Sequence, residues 1–154
     1  MKLKQSKINK LKRDPIINIF MLLILSIYST FALSSEDIEI DCDKAVSTLD
    51  INYCAGVDLK AAELEMATYL ARSKEQYQDD EELIKAIDAA QTSWSLYAKA
   101  HCNSIYTLWR EGSIRGVMAL TCKTKATKSR THEIWENFLT YMDSTPPILS
   151  EPQL

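Results

Sequence analysis

Hydrophobic residues recur at three- and four-residue spacing along three long stretches of the chain, which is the pattern of amphipathic helices. The first stretch runs from Thr48 to Tyr77, and an acidic segment, 78–82, separates it from the second. The second is the most regular, with Leu83, Ile87, Ala90, Trp94, Tyr97, His101, Ile105 and Leu108 on one stripe. The third follows Gly112 and ends before Pro146. The pattern predicts an all-α fold, a small up-down-up bundle of about three long helices.

Polar residues and glycines mark the predicted helix ends. Asp79, with Glu82 three residues later, is a capping pattern for the second helix, although an acidic docking patch is an alternative interpretation. The segment 109–116 holds two of the three glycines in the chain, which indicates a reversal with Ser113 as the cap of the third helix. Threonines line the middle of the third helix, so we expect it to pack less firmly there.

The segment 91–102 is the predicted packing centre of the bundle. Trp94 and Tyr97 are three residues apart and therefore share a helical face, which predicts that both lie in the core. Gln91 lies on the adjacent stripe, and a buried amide needs hydrogen-bond partners. We therefore expect Gln91 to bind a neighbouring backbone group or the region of Tyr97.

The first residues of the chain have the composition of a secretory signal peptide. Six cations precede a short apolar run that is densest over 19–27, and small or polar residues follow before Glu36. We expect residues 1–34 to be removed by cleavage between Ala32 and Ser35; the alternative is an uncleaved anchor. No cysteine lies near the cleavage region, so a lipid anchor is not expected. The predicted organisation is a signal peptide at 1–34, a helical domain at 35–143 and a disordered tail at 144–154.

Export changes the charge of the protein. Residues 1–34 hold six cations and Asp14, so of the 18 cations and 21 anions of the full chain, 12 and 20 remain, a net charge of −8. An acidic surface disfavours nucleic acid and anionic membranes and favours cationic partners. We therefore expect a periplasmic or secreted protein that binds no nucleic acid and has no membrane anchor after cleavage.

The four cysteines predict two disulfides, because an even number in an exported chain is usually paired. Cys102 and Cys122 each lie ten residues from Gly112, so they are level with each other across a helical hairpin. This favours the pairs Cys102–Cys122 and Cys42–Cys54. The two other pairings, which connect the first helix to the second and third, remain open.

The sequence holds no motif that indicates catalysis or a cofactor. The two histidines and four cysteines match no standard zinc spacing, and Cys-x-x-Cys, Gly-x-Ser-x-Gly and phosphate-loop motifs are missing from the sequence. We therefore expect a protein that is not an enzyme and that needs neither metal nor cofactor.

The chain resembles the LprI-type lysozyme-inhibitor family. The resemblance depends on a central motif and an N-terminal part. The central motif is Gln91-x-x-Trp94-x-x-Tyr97-x₄-Cys102, a Gly112-Ser113 turn and Cys122-x₄-Thr127-x-x-Arg130. The N-terminal part is Cys42, Thr48, Asn52-x-Cys54 and Tyr69. The similarity covers about Cys42 to Ile134 and implies a small exported helical domain. For the namesake of the family it also implies binding and inhibition of lysozyme.

Two functions follow as hypotheses. In the first, the protein blocks a cationic muramidase, and the turn after the second helix enters the enzyme's cleft with Arg110, Glu111, Ser113 and Arg115 as candidate contact residues. In the alternative, this turn only connects two helices, and the protein is an interaction or assembly module of the cell envelope with no effect on lysozyme. The sequence gives no oligomeric state.

Overall fold

The structure, a computed structural model, describes residues 40–154. A short 3₁₀ turn, Cys42–Lys44, precedes three long helices: α1 at Thr48–Gln76, α2 at Glu81–Leu108 and α3 at Arg115–Phe138. Within the described residues there is no β-strand. The predicted all-α bundle of three helices is therefore confirmed. The predicted signal peptide, 1–34, lies outside the described residues.

Both disulfides have the pairing that the sequence favours. Cys42 pairs with Cys54 across 12 residues, and Cys102 pairs with Cys122 across 20 residues. The first disulfide closes the 3₁₀ turn onto the start of α1, and the second joins α2 to α3. Each crosslink restricts the unfolded chain and is expected to stabilise the fold by about 2–4 kcal/mol.

The helix starts agree with the sequence to within a residue at α1 and α2 but not at α3. The Ser47 hydroxyl caps α1 by accepting from the Asp50 N–H at 3.1 Å. Asp80, one residue after the predicted cap, accepts from the Leu83 N–H at 2.9 Å. Ile114 occupies the N-cap of α3 and makes no side-chain cap bond, so the prediction for Ser113 is wrong. The turn is instead held by its own backbone, where the Gly112 N–H donates to the Trp109 carbonyl at 2.8 Å.

α3 is the middle helix of the bundle. It packs against both α1 and α2, whereas α1 and α2 make few contacts with each other. The expectation of a weakly packed α3 is wrong, because Thr127 and Thr131 are buried. The Thr131 hydroxyl donates to the Thr127 carbonyl at 2.9 Å. With its polar group bonded to its own helix, a threonine presents a small, largely apolar surface that a neighbouring helix can approach closely.

Gly116 allows the first turns of α1 and α3 to lie side by side. A Cβ atom at Gly116 would overlap the side-chain oxygen of Asn52 and lie 3.2 Å from its Cγ. Asn52 is itself oriented by a hydrogen bond, in which its Nδ2 donates to the Thr48 carbonyl at 2.8 Å. The start of α1, the end of α2 and the turn 109–114 are therefore at one end of the bundle, which we call the turn end.

The hydrophobic core lies toward the opposite end of the bundle. Tyr69, Ile134 and Leu139 are buried together, and partly buried hydrophobic residues pack around them: Met66, Leu70, Trp135, Phe138, Ile148 and Leu149. The last two belong to the segment 144–154, which was expected to be disordered. In the structure this segment instead forms part of the core.

Hydrogen bonds fix the tail to α1 and α3. The Trp135 indole donates to the Leu149 carbonyl at 2.9 Å, and the Tyr69 hydroxyl donates to the Ser150 carbonyl at 2.7 Å. Pro152, further along, is buried. Because the tail has no helical structure, its apolar residues follow no period, and the sequence pattern could not reveal this packing.

Candidate functional site

Several large hydrophobic side chains at the turn end are exposed instead of packed in the core. Val46, Leu49 and Leu108 are 88%, 77% and 72% exposed. Three further hydrophobic residues are exposed there: Tyr53, Trp109 and Ile114. Clusters of exposed hydrophobic residues on soluble proteins commonly mark binding surfaces. The turn end is therefore a candidate interaction surface.

The four predicted contact residues, Arg110, Glu111, Ser113 and Arg115, are all exposed at the turn end. The guanidinium of Arg115 lies 5.1 Å above the ring of Tyr106, and its Nη1 donates to the Arg110 carbonyl at 3.4 Å. This stacking holds Arg115 in one orientation.

Arg110 is less constrained than its neighbour. Its Nε lies 3.5 Å from Oε1 of Glu111, and the two side chains are 66% and 91% exposed. Such exposed ion pairs contribute little free energy, so Arg110 is available to a carboxylate on a partner.

The apolar part of this surface was not identified from the sequence. Leu49 and Tyr53 lie off the stripe that packs α1 against α3, and Ile114 lies in the turn. The sequence indicates such a surface only through apolar residues that fall outside a packing stripe. This is a weak signal, because single exposed hydrophobic residues are common on protein surfaces.

Two of the motif residues meet between the helices. The Arg130 Nε donates to the Gln91 Oε1 at 3.1 Å, although the residues are 39 positions apart. The Gln91 Nε2 lies 3.5 Å from the sulfur of Met66 on α1. Gln91 is half-buried and thus connects all three helices, with partners other than the expected backbone group or Tyr97.

Tyr97 does not lie in the core, contrary to the sequence prediction. It is 64% exposed, and Trp94 is only half-buried. The buried residues of α2 are Ile87, on the predicted stripe, and Ala98 and Cys102, on the neighbouring stripe. The disulfide draws this stripe toward α3, and its small side chains permit the close approach that the aromatic residues would prevent.

The displaced aromatic residues line a groove of about 470 Å³ between α2 and α3. Tyr97 and His101 form one wall, with ring centroids 5.7 Å apart and ring planes only 4° from parallel. The α3 wall contains Lys125, Ser129 and Glu133.

The described residues contain neither a group of metal ligands nor a membrane-spanning helix. Over residues 40–154, no three His, Cys, Asp or Glu side chains are grouped closely enough to hold a metal ion. In the same part of the chain, no helix combines the length and apolar character needed to span a bilayer.

The chain is similar to known proteins at the level of sequence. The model of the family described as "Lysozyme inhibitor LprI" matches residues 42–134. A protein of Rhizobium meliloti (strain 1021), named "Uncharacterized protein R02472", is 30% identical over 125 residues, which cover 74% of this chain and 90% of the relative. No solved structure matches the chain. The family match spans both disulfides and the Gln91–Arg130 contact, and the chain belongs to the lysozyme inhibitor LprI family.

Proposed function

We propose that the protein binds a lysozyme-type muramidase and inhibits it through the turn end. The observation that carries this proposal is the family match over residues 42–134, which includes α1, α2 and most of α3. The exposed hydrophobic residues and arginines of the turn end supply a surface suited to such a partner.

The chemistry of the target favours a cationic inhibitor group. Glycosidases cleave their substrate between a pair of carboxyl groups in a cleft. Arg110 and Arg115 project from a short turn, and a guanidinium can bind a carboxylate through two parallel hydrogen bonds. Trp109 and Ile114, next to these arginines, supply the apolar contact that surrounds a charged anchor in tight interfaces. The stacking of Arg115 on Tyr106 reduces the conformational freedom lost on binding.

Long-range charge supports the same partner. A net charge of −8 after export would steer a cationic muramidase toward the inhibitor. Salt screens this attraction, so association is expected to be slower at high ionic strength.

The two disulfides fit a protein of the periplasm or the extracellular space, where thiols are oxidised. Residues 1–34 would direct export and be removed by cleavage between Ala32 and Ser35. The mass of the protein recovered from the periplasm tests this step. Recovery of an uncleaved chain in the membrane fraction would contradict it.

The proposal is tested by measuring lysozyme activity with the purified protein. Animal lysozymes of the hen and goose types are assayed on bacterial cell walls at low and at high salt. We expect inhibition at micromolar protein that weakens as salt increases. No inhibition of either enzyme would contradict the proposal and favour an envelope interaction module.

Variants locate the contact surface. The double substitution Arg110→Ala, Arg115→Ala is expected to raise the inhibition constant by at least about tenfold. Arg72→Ala is the matched control, because Arg72 lies near the end of α1 that is remote from the turn end. Full inhibition by the double variant would show that the turn is not the contact surface.

A further inference from the structure

In the second half of α2, the most regular apolar stripe of the chain is not the face that packs. Ala98 and Cys102, on the neighbouring stripe, are buried, whereas Tyr97 is 64% exposed. Trp94, Tyr97 and His101 instead line the groove between α2 and α3. Since core packing does not account for these aromatic residues, they are available to a ligand.

The two walls of the groove differ in chemistry. On α2, Tyr97 and His101 stack on each other, and with Trp94 they make this wall aromatic. On α3, the hydroxyl of Ser129, the ammonium of Lys125 and the carboxylate of Glu133 offer hydrogen-bond donors and acceptors. The volume of about 470 Å³ is within the range of small-ligand sites, about 300–1,000 Å³.

The groove lining holds one lysine, Lys125, and one glutamate, Glu133. Glu133 is already paired, because the Arg130 Nη1 lies 3.0 Å from its Oε2. No carboxylate among residues 40–154 forms a salt bridge with Lys125, which is exposed. α3 carries five cations and two acids, in a chain whose net charge is −3. The groove therefore favours an anionic ligand.

We propose that this groove binds an acidic saccharide, a short glycan that carries a carboxylate. A sugar ring presents C–H groups on its faces and hydroxyls at its edge. The faces suit the aromatic wall of α2, the hydroxyls suit Ser129 and Glu133, and the carboxylate pairs with Lys125. The lining extends along α2 from Trp94 to Ile105, roughly 16 Å at 1.5 Å per residue, which is longer than one sugar ring.

An amphipathic helix of another protein suits the groove less well. Such a helix needs a continuous apolar groove, and on the α3 wall Lys125, Ser129 and Glu133 interrupt the apolar surface. None of the exposed residues assigned to the turn end lines the groove. Saccharide binding is thus a second activity, beyond the proposed inhibition of lysozyme.

Titration calorimetry with three disaccharides tests the inference, using protein obtained by expressing the complete 154-residue sequence. Two of them are acidic. N-acetylglucosaminyl-N-acetylmuramic acid carries its carboxylate on a lactyl ether, and digalacturonic acid carries a carboxylate on each sugar ring. N,N′-diacetylchitobiose, called chitobiose below, has similar N-acetylated rings but no carboxylate. We expect at least one acidic disaccharide to bind more tightly than chitobiose, and the tighter of the two acidic ligands identifies the source of the carboxylate.

Two variants test separately the contribution of the aromatic wall and that of the Lys125 charge to binding. Tyr97→Ala is expected to weaken binding of the acidic disaccharide by about fivefold to tenfold through loss of stacking. Lys125→Gln is expected to weaken it by about fivefold while leaving chitobiose unchanged. The matched controls are Leu96→Ala, at an exposed neighbouring position of α2, and Lys60→Gln, at an exposed position of α1. Both controls should bind like the unaltered protein.

Three results would overturn the inference. The first is no binding of any of the disaccharides at millimolar concentration. The second is unchanged affinity in Tyr97→Ala. The third is a dimer in solution that dissociates when Tyr97 is replaced, which would show that a second copy of the chain occupies the groove. No lysozyme is present in these measurements, so their outcome is independent of the inhibition assay.

Discussion

Gly56 and Gly116 occur in helices with opposite surroundings, and replacing each with alanine should have opposite effects. Nothing lies within 4 Å of a Cβ atom placed at Gly56, inside α1. Alanine is favoured over glycine in a helix interior by about 1 kcal/mol, partly because it restricts the unfolded chain. Gly56→Ala is therefore expected to raise the free energy of unfolding by about 0.5–1 kcal/mol.

Gly116→Ala should lower the free energy of unfolding. The new Cβ would overlap the side-chain oxygen of Asn52, so the amide must move, and its Nδ2 then loses the hydrogen bond to the Thr48 carbonyl. The end of the Asn52 side chain can shift, so overpacking costs about 1 kcal/mol, the low end of the usual range, and the lost hydrogen bond about 0.5–1.5 kcal/mol. The helix preference for alanine offsets less than about 1 kcal/mol, because Gly116 is in the first turn of α3. The expected net loss is about 1–2 kcal/mol.

Urea unfolding followed by far-UV circular dichroism, with both disulfides intact, measures both effects. In thermal unfolding, each kcal/mol should move Tm by roughly 3–4 °C for a domain of this size. A background carrying Asn52→Ala removes the obstacle, so Gly116→Ala should no longer destabilise the protein there. The reasoning is refuted if Gly116→Ala stabilises the unaltered protein as much as Gly56→Ala does.

Three further predictions concern the contacts that hold the bundle together. Tyr69→Phe removes the hydroxyl that donates to the tail, so we expect a loss of about 1 kcal/mol in urea unfolding and faster proteolysis of the tail; unchanged proteolysis would contradict the tail contact. Replacing Cys102 and Cys122 with serine should lower the free energy of unfolding by about 3 kcal/mol, as measured by urea unfolding, and an unchanged midpoint would contradict the crosslink between α2 and α3. Gln91→Ala leaves Arg130 without its amide partner and should cost about 1–2 kcal/mol, whereas Gln91→Glu should retain a partner; equal losses in both variants would argue against the contact.

The sequence predicted the helices and disulfides well because both depend on local spacing. The buried residues of α1, Ala62, Tyr69 and Ser73, follow the three- and four-residue spacing of a helix face, and the Ser47 cap precedes the expected start of α1. The pairing of Cys102 with Cys122 followed from their symmetric placement about Gly112. In each case, residues close in the chain determine the geometry.

The prediction failed where burial depends on the arrangement of the helices. A helix with hydrophobic residues on two adjacent stripes can turn either one inward, and periodicity favoured the stripe with Tyr97. In the structure the smaller stripe, with Ala98, is buried, because α2 packs closely on a disulfide-linked neighbour. The prediction that the threonine-lined middle of α3 packs weakly was wrong for a related reason. The polarity of a threonine predicts exposure only while its hydroxyl lacks a partner, and Thr131 has one in its own helix.

The candidate site was predictable only in part. The exposed turn with Arg110 and Arg115 was identified from its glycines and charges. The stacking of Arg115 on Tyr106 was not, since the two residues belong to different helices and no sequence spacing predicts their approach. The groove was not predicted either, because it depends on which face of α2 is turned toward α3.

The pairing of the cysteines has a consequence for oxidative folding. Each disulfide joins cysteines that are consecutive in the chain, the first with the second and the third with the fourth. A chain oxidised in the order in which it enters an oxidising compartment therefore forms the native pairs directly. No thiol–disulfide exchange is needed to correct them, and such exchange is otherwise a slow step that takes seconds to hours. Since neither crosslink joins α1 to the α2–α3 hairpin, the two parts can oxidise independently and then dock through noncovalent contacts alone.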